Sequence, residues 1–165
     1  MRKLLVLVVI TSYLLGCKKT DSVATTAQND DLEFNYQKMP DKATINPNAA
    51  AIVENWPEFK ALNASIDVLY KATNNEDLAL AIDDLIEKEK DLEVGKYPEL
   101  FDSFQVKSRQ RVLRTYLFKV KASILDNQPT TGPTIQMLEA YNALRKQLNV
   151  IMNSQLDKKI ILDEI

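Results

Sequence analysis

The sequence predicts an all-α protein, an up-down antiparallel four-helix bundle preceded by a flexible tether. Three observations lead there. From residue 49 onward, apolar residues recur at three- and four-residue spacings in four separate stretches, the pattern of helices with one buried face. The breaks between those stretches are short, which makes neighbouring helices antiparallel. No alternating strand pattern competes with the helical one between residues 49 and 165.

Residues 1–16 have the parts of a secretory signal peptide. Arg2 and Lys3 precede an apolar run from Leu4 to Leu15, broken only by Thr11 and Ser12, and Gly16 is a small residue at its end. A run of about twelve residues falls short of the roughly 20 that span a bilayer core. Leu14-Leu15-Gly16-Cys17 resembles the lipobox of bacterial lipoproteins. The resemblance implies lipidation of the Cys17 thiol, cleavage after Gly16 and acylation of the new amino terminus. Cys17 is the single cysteine, so a thioether there consumes it and no disulfide can form. The alternative is an ordinary secretory signal with a chance cysteine near its end. Lys18 and Lys19 follow, rather than an acidic residue or an acidic run, and this implies the periplasmic face of the outer membrane in preference to the inner membrane or the cell surface.

Residues 17–48 read as the lipidated Cys and a polar tether, about 30 Å in reach if flexible. Within it, Leu32-Glu33-Phe34-Asn35-Tyr36 alternates apolar and polar, the pattern of a short extended segment lying across the domain. The helical domain is expected over 49–165. Asn46 and Pro47 suit a helix start, and Pro57 demands a kink or a new start near Asn55. Phe59, Leu62, Ile66, Leu69 and Tyr70 share one face of a helix over about 56–73. Asn75 is positioned to cap the next, whose stripe is Leu78, Ala81, Ile82, Leu85, Ile86 and Leu92, ended by Gly95 and Pro98. The third runs from Pro98 or Ser103 to Asp126 on Val106, Leu113, Leu117, Val120 and Ile124. Residues 128–133 break the chain, and a fourth helix starts at Thr134 and reaches about Leu156 on Met137, Tyr141, Leu144, Leu148 and Ile151. Lys158–Ile165 is expected to add one further turn across an open end.

Composition removes whole chemistries. There is no histidine, so Ser-His-Asp and Cys-His catalysis and Glu-x-x-His metal sites are excluded. No glycine-rich phosphate loop is present. Asp83-Asp84 looks like a solvated face, and Ser108 has no lysine in an activating pattern. Neither a catalytic residue, a metal site nor a cofactor is expected, and the protein does not read as an enzyme. Losing Arg2 and Lys3 with the signal takes the formal charge from −2 to −4, which gives no reason to expect nucleic acid as a partner.

Charge is nonetheless segregated. Between Glu76 and Glu93 eight acids face two lysines, whereas Ser103–Leu125 carries Lys107, Arg109, Arg111, Arg114, Lys119 and Lys121 with no acid. Lys107, Arg111, Arg114 and Lys121 form a candidate basic surface for lipid head groups, an acidic glycan or a partner protein; the alternative is that opposite fields simply pair the second and third helices. Glu89 and Arg109 fall on apolar faces and are a candidate core ion pair, each meeting the other or another opposite charge, because a buried uncompensated charge costs several kcal/mol. Asn142 and Asn149, seven residues apart, either set helix register or line a small pocket. Trp56 before Pro57 reads as a packing anchor.

Tyr97-Pro98-Glu99-Leu100, Val106-Lys107-Ser108-Arg109, Leu113-Arg114-Thr115 and Tyr141-Asn142-Ala143-Leu144 through Gln147-Leu148-Asn149 are similar to small helical lipoproteins of Gram-negative bacteria, over about half the mature chain. That likeness implies no activity. The expected function is a membrane-anchored, non-catalytic interaction or accessory module of the cell envelope, with the membrane and an envelope protein as partners. Binding of a small apolar or anionic molecule between helices is the alternative.

Overall fold

The computed structural model describes residues 34–163, with side-chain surroundings as far as residue 155. The expected signal peptide, Cys17, the expected tether as far as residue 33 and the last two residues lie outside it. The fold is all-α, but the described residues form five α-helices in place of four: α1 (Pro47–Val53), α2 (Pro57–Leu69), α3 (Asn75–Val94), α4 (Phe104–Leu125) and α5 (Thr131–Asp163). Short 3-10 turns stand at Tyr36–Lys38 and Glu99–Phe101, and the described residues contain no strand. None of the described helices is long and apolar enough to cross a membrane.

The extra helix follows from the two prolines. Asn46 caps α1 by accepting the Ala49 N–H at 2.7 Å, with Pro47 in its first turn. Pro57 cannot continue that helix, so α2 begins afresh there. α2 then stops at Leu69, short of the expected 73, where the Lys71 and Ala72 N–H groups bond back to Val68 and Leu69. Asn74, one residue before the expected Asn75, caps α3 by accepting from Asp77 N–H at 2.8 Å. Ser103 caps α4. α4 ends in a left-handed residue, Asn127 at φ 50°, with Gln128 N–H returning to Ser123 O at 2.8 Å and Asn127 N–H to Ile124 O at 3.2 Å. This is the Schellman closure with Asn in the place glycine usually takes. α5 starts at Thr131, earlier than Thr134, because Pro133 is tolerated in a first turn. It runs on through Asp163, so the expected separate final turn is helix.

Sequential helices pack on one another, α2 on α3, α3 on α4 and α4 on α5, and α1 lies against α5 and α2. Trp56, Phe59, Tyr97 and Phe101 are buried together, with Trp56 ring centroids 5.2 Å from Phe59, 5.0 Å from Tyr97 and 6.1 Å from Phe101. Phe59 in turn stacks at 6.5 Å on Tyr141 of α5. Trp56 is thus an anchor joining α2 to the turn before α4 and, through Phe59, to α5.

Residues 34–46, read from sequence as tether, lie on the helices. Phe34 is buried at 2% exposure, and Tyr36–Lys38 forms a 3-10 turn where alternation suggested an extended segment. Polar side chains along α5 hold this strap by its backbone. Thr131 Oγ1 accepts the Asn35 N–H at 2.9 Å. The Asn142 amide accepts from Ala43 N–H at 2.7 Å and donates to Asp41 O at 2.8 Å. Seven residues on, Asn149 accepts from Asn46 N–H at 2.8 Å and donates to Thr44 O at 2.9 Å. Seven residues of helix rise about 10.5 Å, and three extended residues advance about 10 Å. The two asparagines therefore meet equivalent points three residues apart on a strap running parallel to α5.

Candidate functional site

Glu89 of α3 is buried at 1% exposure, and its counter-charge is Arg114, not Arg109. Arg114 Nε lies 3.1 Å from Glu89 Oε2, and its Nη1 lies 2.6 Å from Glu93. Gln110 Nε2 donates to Glu89 Oε1 at 3.0 Å, and the Tyr97 hydroxyl donates to Gln110 Oε1. Arg109 is exposed. The α4 seam is Val106, Gln110, Leu113, Leu117 and Val120, alternating steps of four and three. That seam selects residue 110, and one residue's 100° rotation carries Arg109 out of it. Burial holds the Glu89 carboxyl above its ordinary range, opposed by the Gln110 hydrogen bond and the Arg114 charge, with Glu93 adding to the rise. The Tyr97 hydroxyl is pushed up to about 12 by burial and then by the negative charges of Glu89, Glu93 and Asp102.

Of the four candidate basic residues, three are engaged by neighbouring acids. Lys107 pairs with Asp102 and lies 5.1 Å above the Tyr97 ring, Arg114 bridges Glu89 and Glu93, and Lys121 pairs with Asp83. Arg111 is exposed, its guanidinium 6.0 Å from the Phe104 ring. The outward face of α4 carries more than charge. Phe104 (72% exposed), Phe118 (52%) and Leu125 (68%) stand uncovered with Val112, beside the exposed Arg109, Arg111 and Lys119. Phe104, Arg111, Phe118 and Leu125 follow one another at seven-residue steps, a row about 31 Å long at 1.5 Å per residue.

A second locale is one that sequence reasoning missed. Where the strap passes α1 and α2 it leaves a cleft of about 610 Å³, lined among others by Ala43, Ile45, Val53, Asn63, Ala64 and Arg145. Arg145, on the same polar flank of α5 as Asn142 and Asn149, is only 9% exposed. Its Nε donates to Ala43 O at 2.5 Å, and its Nη1 donates to Asn63 Oδ1 at 2.6 Å and to the Tyr141 hydroxyl at 3.1 Å. The Tyr141 hydroxyl donates to Asn63 Oδ1 at 2.6 Å and is pushed up to about 12, chiefly by burial, against the lowering effect of Arg145. The available signal was the polar spacing Asn142, Arg145, Asn149 inside an otherwise apolar stripe. The two asparagines were visible as a pair, but nothing in the sequence says that a strap lies on them. No family model, no curated protein and no solved structure matches this chain.

Proposed function

We propose that this chain is a lipoprotein held through Cys17 on the periplasmic face of the outer membrane, and that its domain is a non-catalytic interaction module of the cell envelope. In this reading α2 to α5 are the members of an up-down bundle, supported by their sequential packing and short connections, while α1 and the strap are additions to it. The docking surface is the outward face of α4. The observation that carries this is the uncovered row of Phe104, Phe118 and Leu125 on a helix that holds six basic residues and no acid. Exposed apolar side chains rimmed by charge mark interaction surfaces, and here three large ones share a face with Arg111 between them. The flanking Arg109, Arg111 and Lys119 suit a partner with an acidic rim, and complementary charge sets on-rate and register more than affinity. Lys107, Arg114 and Lys121, occupied by their own acids, belong to the fold more than to the partner.

In-cell crosslinking and recovery of the full-length protein tests this. Wild type is compared with Cys17→Ser and with a variant carrying Phe104→Ser, Arg111→Glu and Phe118→Ser. The expected result is one envelope protein recovered with wild type and lost from the α4 variant at unchanged helical content. Equal recovery from the α4 variant overturns the surface. Membrane attachment that survives Cys17→Ser overturns the anchor.

A further inference from the structure

Arg145 is a cation that no carboxylate among the described residues pairs with, its guanidinium lying 5.6 Å from the centroid of the Tyr141 ring. A guanidinium has five N–H donors. The one on Nε and the two on Nη1 are taken by Ala43 O, Asn63 Oδ1 and the Tyr141 hydroxyl, all neutral, and the Nη2 pair has no acceptor among the described residues. None of the ion pairs among those residues involves Arg145. The cleft's other charges cancel: Lys42 is paired with Asp67, and Lys60 lies 2.9 Å from Glu54. Nη2 is not among the enclosed side-chain atoms left without a partner, so it opens to solvent, and an anion entering the cleft meets free donors on a nine-tenths buried cation.

We propose that this cleft binds a small organic carboxylate with an aliphatic body, its head group on Arg145 Nη2 and its chain along Ala43, Ile45, Val53 and Ala64. Charge selects the class. The lining carries one net positive charge, so a monoanion neutralises it, whereas a phosphate dianion overshoots it and meets twice the repulsion from Glu54 and Asp67. Volume agrees, since about 610 Å³ lies within the roughly 300–1,000 Å³ of small-molecule sites. Arg145 also supports the wall it serves, because its Nε bond fixes Ala43 of the strap. The site is independent of the α4 face.

Octanoate titration of the full-length protein in nanodiscs, followed by calorimetry with empty nanodiscs subtracted, is the test. Octanol serves as the neutral probe and inorganic phosphate as the dianion. Octanoate is expected to bind at least tenfold tighter than either. That binding is lost in Arg145→Gln, and lost equally in Ala64→Trp, which fills the cleft from an exposed position of its lining and keeps the guanidinium. Failure of wild type to bind octanoate, octanol or phosphate binding as tightly, or unchanged binding in Ala64→Trp at native helical content each overturns the proposal.

Discussion

Glu89 is held by two groups of different kinds, and the two can be separated by mutation. Arg114 supplies charge and Gln110 supplies a hydrogen bond, both to a carboxylate with almost no access to water. Replacing Arg114 by Met leaves that carboxylate facing Gln110 alone. Stranding one member of a fully buried pair costs roughly 3–5 kcal/mol; Arg114 is 32% exposed, so about 2 kcal/mol is the expected loss, read from urea unfolding near pH 7. Glu89 also gives stability a pH dependence of defined sign. Its folded pKa lies above the ordinary 4.5, so the folded state binds the proton more tightly than the unfolded chain does. Its favourable contribution is therefore complete below about 4.5 and is lost as pH rises through the folded value. Unfolding midpoints of wild type and Glu89→Gln are expected to diverge across that window, with wild type losing ground to the variant as pH increases. Parallel curves would show that the carboxylate titrates alike in both states. That Glu89 needs a partner was legible from its place on an apolar stripe; which arginine supplied it was not. Arg109 and Arg114 differ by five residues on one helix, and the choice rests on how α4 is rotated against α3.

At the scale of elements, the helices were read from sequence because each carries its own stripe and caps, and their ends moved where local alternatives compete. Asn74 and Asn75 can both cap, and Pro133 reads equally well as part of a break or of a first turn. The strap was not legible, because its residues carry no stripe: it is held by backbone groups, which every sequence possesses. The hint was the apolar alternation at Leu32, Phe34 and Tyr36, which marks a segment crossing the domain, and Met39 and Ile45 also pack against the core. The strap's attachment makes a direct prediction. Asn142→Leu removes an acceptor for Ala43 N–H and a donor for Asp41 O in one step. A hydrogen bond contributes about 0.5–1.5 kcal/mol net, and groups left unpaired add to the loss, so about 1–3 kcal/mol of local stability is at stake. Amide exchange at Ala43 is expected to accelerate tenfold or more while amides of the α4 seam keep their protection. Asn149→Leu should free Asn46 in the same way. Exchange that rises uniformly over the whole domain would instead mean that the asparagines stabilise α5 itself.

The whole molecule is therefore larger than its helical part, and truncation measures by how much. Sequence places the start of the domain at residue 49, where helical periodicity begins; packing places it no later than Phe34. A chain beginning at 49 loses the Phe34 side chain, worth about 1.5–3 kcal/mol when fully buried. It also loses the strap's bonds to Thr131, Asn142, Arg145 and Asn149, and the Tyr70 hydroxyl's bond to Pro40 O at 2.6 Å. Asn46, the cap of α1, goes with them, and a lost asparagine cap costs about 1 kcal/mol. The whole of this loss is read in global unfolding if strap and helices fold as one cooperative unit. Removing the strap also uncovers Arg145, whose Nε–H then exchanges Ala43 O for water. A chain starting at 49 is thus expected to unfold at least about 3 kcal/mol more easily in urea than one starting at 34, and Arg145→Leu should cost stability in the longer chain, where it strands Ala43 O, and little in the shorter one. Equal urea midpoints for the two chains would make residues 34–46 a passive covering, and the domain would then begin where the helical pattern does.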